Sequence, residues 1–195
     1  MFKRLFYMIL FLIAFLTVCY LLDSPHLARL FYPFHYREQI HSSAAAHNLD
    51  PLLVAAVIYI ESGFRPHAES SRGARGLMQV MPTTAEWVAE RSGMAYAPEM
   101  LLDPAYNIEI GCWYLADLLK LFDGNIVVAL AAYNGGRAAV GRWLEQGIWD
   151  GSESRLEQIP FSETRHFVRR VLETYAKYQE IYHNEEANYA YCNTH

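Results

Sequence analysis

Apolar positions recur along most of this chain at helical spacing, and the polar residues between them supply helix starts and stops. The first apolar run is different. Lys3 and Arg4 lead into an uncharged stretch from Leu5 to Leu22, rich in Leu, Ile and Phe and without a polar face. At about 1.5 Å rise per residue it is just long enough to cross a hydrocarbon core of about 30 Å. It predicts an N-terminal signal-anchor transmembrane helix over residues 1–23. A cleavable signal peptide is the alternative, but its apolar run is usually shorter and no A-x-A pattern of small residues follows this one. Leu16-Thr17-Val18-Cys19 faintly resembles a lipoprotein cleavage site, with bulky Val18 where a small residue is expected. Two bases precede the run and Asp23 follows it, which leaves residues 24–195 on the extracytoplasmic side. Residues 24–36 read as a linker; its Phe31, Tyr32, Phe34 and Tyr36 suit a lipid–water boundary or a packed surface equally well.

Beyond the linker, helix signals dominate. Tyr36–His47 predicts a first helix. Asp50-Pro51 is an N-cap followed by proline at the first helical position, opening a helix that is apolar all round from Leu52 to Ile60 and ends at Glu61-Ser62-Gly63. Gly63, Pro66, Gly73 and Gly76 mark a loop over 63–76. Pro82 to Arg91 reads as helix. Asp103-Pro104 repeats the cap signal and opens a helix to Leu121, with Ile108, Cys112, Leu115 and Leu119 on one face. A short buried helix follows over Ile126–Ala132, broken at Asn134-Gly135-Gly136, then one over Ala138–Gln146. Ser162 caps a last helix to about Tyr182, with Phe167, Val168, Val171, Leu172 and Tyr175 inward. No segment alternates convincingly with period two. The expected fold is all-α with at most a minor hairpin, one globular domain over 37–184, and a polar C-terminal tail over 185–195.

Composition narrows the function classes. The 195 residues are 53% hydrophobic and 19% charged, which excludes a disordered chain, and a net charge of -5 argues against a nucleic-acid binder. Residues 24–195 are more acidic still, having shed two bases and one acid. Of three cysteines, Cys19 falls in the predicted anchor, while Cys112 and Cys192 either pair or stay as thiols, Cys112 reading as core. The histidines show no H-E-x-x-H pair, the cysteines no zinc spacing, and there is no G-x-S-x-G or phosphate-binding glycine motif. No metal or cofactor is expected, and the chain is taken as a monomer.

Glu61 is the sharpest chemical feature. Nine uncharged residues precede it, so its carboxyl is partly withdrawn from water, which disfavours ionisation. A carboxylic acid still protonated near neutral pH is what a general acid requires. The bland alternative is a solvated helix end or a salt bridge to Arg65. Ser70, Gln79 and Met81 follow within twenty residues, in a run whose glycines allow close backbone approach to a ligand. Tyr133 and Asn134 sit beside a helix break. Trp87, Trp113, Trp143 and Trp149 suit either sugar stacking or core packing.

Five ordered blocks carry a resemblance. Glu61-Ser62-Gly63-Phe64, then Ala68-Glu69-Ser70 with Gly73-Ala74-Arg75-Gly76-Leu77-Met78-Gln79-Val80-Met81-Pro82, then Asn107-Ile108 with Gly111 and Tyr114-Leu115, then Ala132-Tyr133-Asn134-Gly135-Gly136, then Ile159-Pro160-Phe161-Ser162-Glu163-Thr164-Arg165 with Val168 and Val171, span roughly residues 40–180. Together they resemble the lytic transglycosylases of the soluble-lytic-transglycosylase type, relatives of goose-type lysozyme. Gly135 stands where alanine is frequent and Phe167 where tyrosine is frequent. The resemblance implies a lysozyme-like α fold with a long cleft that cuts peptidoglycan glycan strands at the β-1,4 bond between N-acetylmuramic acid and N-acetylglucosamine. It implies Glu61 as acid and then base, with the muramyl C6 hydroxyl closing on C1 to leave a 1,6-anhydro end. Ser70, Gln79, Met81, Tyr133, Asn134 and Glu163 match cleft positions of that family. Two other functions stay open: a hydrolytic muramidase using Glu69 or Glu163 as second carboxylate, and a non-enzymatic peptidoglycan-binding protein.

Overall fold

The computed structural model describes residues 2–22 and 25–193. Among them the regular structure is helical, and strand pairing is confined to two isolated bridges, Glu69 with Arg75 and Arg75 with Val80. The chain forms two compact units, one of residues 1–34 and 180–195, the other of residues 35–179.

The first unit contains α1 (Phe2–Leu22) and α2 (Pro25–Phe31). Its described side chains from Phe6 to Ile13, with Phe15, are exposed. Among the described residues no helix is long and apolar enough to cross a membrane. The expected transmembrane helix over 1–23 is thus an α-helix whose described side chains present an apolar surface, and its crossing of a membrane is not supported by the described residues. Within the expected linker over 24–36, Pro25 opens the short helix α2. In the same unit Tyr182 donates to the Tyr32 carbonyl (2.8 Å), lies edge-on to Phe34, and has Arg29 over its ring, while Arg29 pairs with Glu185 at 2.5 Å.

The second unit holds α3 (Arg37–Ala46), α4 (Pro51–Ser62), α5 (Pro82–Ser92), α6 (Pro104–Leu121), α7 (Ile126–Gly135), α8 (Arg137–Glu145) and the start of α9 (Ser162–Asn193). Short 3₁₀ turns at Pro98–Leu102 and Glu153–Gln158 were not anticipated by apolar periodicity. The helix starts follow local chemistry. Asp50, Asp103 and Asn125 each accept a backbone N–H of the first turn, and Pro51, Pro82 and Pro104 occupy positions whose N–H would be idle. Helix α4 is buried from Leu52 to Ile58, as its all-round apolar sequence requires. Helix α6 packs against α3, α5 and α7 and carries Ile108, Ile110, Leu115 and Leu118 into the core. Trp143 and Trp149 are core, the Trp149 indole donating to the Ser152 carbonyl.

Helix α7 runs past the expected break, so Tyr133 and Asn134 belong to its last turn and the chain turns instead at Gly136 (φ 89°). Helix α9 runs well past Tyr182 into the segment expected to be a polar tail; no glycine or proline follows Ser162 to stop it. Cys112 is a buried free thiol, and the Cys192 side chain lies outside the described residues.

One buried side chain ties the 63–81 loop to this scaffold. The Asn107 Oδ1 accepts from the Met78 N–H (2.7 Å), and its Nδ2 donates to the carbonyls of Arg75 and Leu101 (both 2.9 Å). Gly76 (φ 78°) makes room: a Cβ there would lie 2.2 Å from Asn107 Nδ2 and 2.3 Å from the Leu101 oxygen. Removing this buried amide takes the partner from the Met78 N–H and the Leu101 carbonyl, while the Arg75 carbonyl keeps the Val80 N–H. Asn107→Ala is expected to lower stability by about 3 kcal/mol, measured as a shift in urea unfolding.

Candidate active site

Helix α4 ends at Gly63, which takes the left-handed conformation (φ 59°) and returns its N–H to the Tyr59 carbonyl. Glu61 thus sits in the last turn of a buried helix, mostly shielded from solvent. It makes no hydrogen bond or ion pair among the described residues. Arg65, the partner a solvated reading would give it, instead donates from Nε to the Ser62 carbonyl (2.8 Å). Burial, and then the negative charge of Glu163, push the Glu61 carboxyl up to about 8. The negative end of the α4 dipole acts in the same direction.

The loop after α4 buries Phe64, Leu77, Met78 and Val80 and is held in shape by its own polar groups as well. The Ser70 N–H donates to the Ala74 carbonyl, its carbonyl accepts the Gly73 N–H, and its hydroxyl accepts the Ala74 N–H. Arg75 and Val80 exchange backbone bonds at 3.0 Å each way. Gln79 has a positive φ of 48°, and its Nε2 donates back to the carbonyls of Ala68 (3.0 Å) and Gly76 (2.9 Å). Its carbonyl oxygen is left without a hydrogen bond among the described residues. Met81 is partly exposed at the N-cap of α5.

Tyr133 connects the loop to α7. Its hydroxyl donates to the Met78 carbonyl at 2.8 Å, and its ring stacks on Phe167 (6.4 Å between centroids, 9° between planes) and lies against Tyr114 (5.5 Å). Burial first, and then the nearby Glu61 charge, hold its hydroxyl protonated well above the usual range. Gly111 on α6 lets Met78 approach; a Cβ there would lie 2.3 Å from its sulfur.

Beside these groups opens a cavity of ≈ 450 Å³ lined by Arg72, Asn134, Phe161, Glu163 and neighbouring residues of the 160–164 segment. Asn134 Oδ1 accepts the Thr164 hydroxyl (2.8 Å), fixing the end of α7 against the start of α9. Glu163 is exposed and pairs with Arg72 of the loop at 3.2 Å. Glu69 is likewise exposed and pairs with Arg75 at 3.1 Å, and Asp103 is occupied as the α6 cap.

The seven residues singled out in the sequence therefore divide. Glu61, Tyr133 and Glu163 are linked electrostatically, and Asn134 shares a cavity with Glu163. Ser70 and Gln79 spend their hydrogen bonds on loop geometry, and Met81 lies at the N-terminus of α5. Sequence reading passed over Asn107 as a strut and Arg72 as the partner of Glu163. A lone buried amide opposite a Gly-rich loop was the available signal for the first; nothing local signalled the second. No cluster of metal-ligating side chains occurs among the described residues.

Comparisons with known proteins agree with this geometry. Residues 38–154 match the family described as the transglycosylase SLT domain. The soluble lytic murein transglycosylase of Escherichia coli is 35% identical over 152 residues, covering 76% of this chain and 23% of that protein. The membrane-bound lytic murein transglycosylase C of Edwardsiella ictaluri is 29% identical over 168 residues, covering 75% of this chain and 47% of the relative. The crystal structure of the 70-kDa soluble lytic transglycosylase from Escherichia coli superposes with a TM-score of 0.71 at 33% identity, over 78% of this chain and 25% of that one; a complex of a 70-kDa soluble lytic transglycosylase with bulgecin A gives 0.72. The chain spans about a quarter of the length of these soluble relatives. With the family's region covering the helices and the loop that surround Glu61, this chain belongs to the transglycosylase SLT domain family.

Proposed function

We propose that the unit of residues 35–179 cleaves the β-1,4 bond between N-acetylmuramic acid and N-acetylglucosamine in peptidoglycan glycan strands, by transglycosylation rather than hydrolysis. The observation that carries this is Glu61: a shielded carboxyl with no partner among the described residues and a proton held to about pH 8. Its O–H donates to the glycosidic oxygen as the C1–O bond breaks, and the N-acetylglucosaminyl hydroxyl leaves. The resulting carboxylate takes the proton of the muramyl C6 hydroxyl, whose oxygen bonds to C1. Glu61 ends neutral, no water is consumed, and the product is a 1,6-anhydro end. Tyr133, donating to the Met78 carbonyl, holds the loop against α7 beside Glu61. Ser70 and Gln79 keep that loop in shape, Gln79 offering its free carbonyl to sugar amide or hydroxyl groups. Met81, Asn134 and Glu163 contact the glycan along the cleft, and the unit acts as a monomer.

Hydrolysis needs a second carboxylate in line with the bond. Glu163 is near enough to raise the Glu61 pKa, but it is exposed and paired with Arg72, and Glu69 is paired with Arg75. Both are poorly suited to attack on C1. The relatives named as membrane-bound, and the exposed apolar surface of α1 behind Lys3 and Arg4, support a further reading: α1 holds this unit at the outer face of the cell membrane.

Murein sacculi treated with the full chain should release 1,6-anhydromuropeptides, read by mass spectrometry; reducing-end products alone would establish a hydrolase. Glu61→Gln should lower the rate by at least about a hundredfold. In the wild type, kcat/KM should fall as pH rises through about 8, where Glu61 loses its proton. Stability moves with it. The native state favours the protonated carboxyl, so it loses stability as pH climbs from the ordinary carboxylate range toward 8 and no further. Glu61→Gln should therefore stabilise the protein by roughly 2–4 kcal/mol above pH 8 and hardly at all near pH 4, measured by urea unfolding at the two pH values.

Membrane attachment predicts that the full chain floats with phospholipid vesicles in a density gradient and that high salt does not release it. Recovery in the soluble fraction at low salt would refute the attachment.

A further inference from the structure

Two cavities of the 35–179 unit each carry an ion pair, and the pairs differ in kind. One cavity, of ≈ 470 Å³, is lined by Trp87, Tyr114, Asp117 and Arg137 with neighbouring residues. Its Arg137–Asp117 pair (3.1 Å) is half-buried, and the Arg137 guanidinium lies 5.1 Å from the Trp87 ring centroid. The other is the ≈ 450 Å³ cavity beside Glu163, where Arg72 meets Glu163 at 3.2 Å with side chains 76% and 63% exposed. Arg72 comes from the loop after α4 and Glu163 from the first turn of α9, so this pair joins two segments that line the cavity. A pair so exposed adds little to stability and opens readily to a competing partner.

Glu61 and Glu163 lie at opposite kinds of helix end. Glu61 is in the last turn of α4, where the backbone dipole disfavours a negative charge, and Glu163 is in the first turn of α9, where it favours one. Glu163 is the negative charge that acts on Glu61. Around them, Tyr133 of α7 and Tyr114 of α6 are held protonated by burial, and Cys112 of α6 is a buried neutral thiol. Arg65 is bonded to the Ser62 carbonyl, and Glu69 and Arg75 pair with each other. His166, one turn beyond Glu163, is exposed and makes no hydrogen bond or ion pair among the described residues. Arg72 alone among the described cations is bonded to Glu163. A lone carboxylate presents a charge to its surroundings; one beside a guanidinium presents a dipole, whose field falls off faster.

The geometry points to Arg72 as a positioning residue that acts through Glu163: paired, it blunts the Glu163 charge toward Glu61, and a glycan entering the cavity parts the pair and turns that charge onto the acid. Sugar hydroxyl and amide N–H groups are neutral donors, so they replace Arg72 at the Glu163 carboxylate without supplying its positive charge. Glu61 then holds its proton more firmly in the complex than in the empty enzyme. This coupling rests on the peptidoglycan reading above, in which Glu163 contacts the glycan.

The test follows Glu61 with and without glycan. Rates of the full chain on soluble, uncrosslinked peptidoglycan strands are measured between about pH 6 and pH 10; kcat/KM follows Glu61 in the free enzyme and kcat follows it in the complex. In the wild type the alkaline limb of kcat is expected about half a pH unit above that of kcat/KM. Arg72→Gln should raise the kcat/KM limb by the same amount and leave the kcat limb in place. Arg72→Lys keeps the charge and should keep the wild-type separation. Arg72 is exposed, so these replacements leave the fold intact, which an unchanged circular dichroism melt verifies. Coincident limbs in the wild type, a kcat/KM limb that ignores Arg72→Gln, a kcat limb that moves with it, or Arg72→Lys behaving as Arg72→Gln would overturn the proposal. Failure of the wider reading looks different: the wild type releases no anhydro ends, yet the Glu61 carboxyl carbon, followed by NMR, still titrates higher in Arg72→Gln than in the wild type. If the strands are left uncut, adding them should raise that midpoint in the wild type alone, and a midpoint indifferent to both changes overturns the role of Arg72 without any turnover.

Discussion

The structure around the site depends on the placement of one carboxyl group at the end of a helix that water does not reach. Helix α4 is apolar on every side, so it has no polar face from which Glu61 could be solvated. The helix then stops abruptly at Gly63, and the carboxyl is left in the last turn, where the backbone dipole opposes a negative charge. Arg65 turns to the Ser62 carbonyl instead of to Glu61. Without a compensating cation the group keeps its proton, and acid chemistry near neutral pH becomes available from a residue type that is ordinarily ionised there.

A carboxyl kept free of partners needs the surrounding chain to be fixed by other means, and the 63–81 loop shows how. Its polar groups satisfy one another: Ser70 with Ala74, Arg75 with Val80, and Gln79 with Ala68 and Gly76. Two anchors reach it from outside, Asn107 from α6 and Tyr133 from α7. These hydrogen bonds hold the loop together with its buried Phe64, Leu77, Met78 and Val80, and none of them consumes Glu61.

Most helices were legible because their starts are written in local chemistry. Asp50-Pro51 and Asp103-Pro104 cap in the structure as their sequences suggest, and Asn125 adds a cap beyond those expected. The all-round apolar run of α4 and the helix end at Glu61 were equally readable. The misplaced boundaries have physical causes. Asn134-Gly135 looked like a break, but Gly135 stays in the helix against Thr164, where a Cβ would lie 2.9 Å from the hydroxyl, and the turn itself occurs at Gly136. The tail after Tyr182 looked polar and unstructured, yet polar composition alone does not end a helix when no stop residue follows. For the site, Glu61 and Tyr133 could be found from burial and position. The pairing of Arg72 with Glu163 joins residues ninety positions apart, and only the fold brings them to one cavity.

The sharp turn at Gly136 has a consequence for how such a unit can diversify. Asn134 and Gly135 before it line one cavity, and Arg137 immediately after it lines the other. A residue inserted at this turn would change the direction in which α8 leaves α7 and move the Arg137 side chain relative to Trp87 without touching the sequence of α4. The recess beside α8 can thus be re-tuned without altering the reacting group, and selectivity can drift while chemistry is conserved.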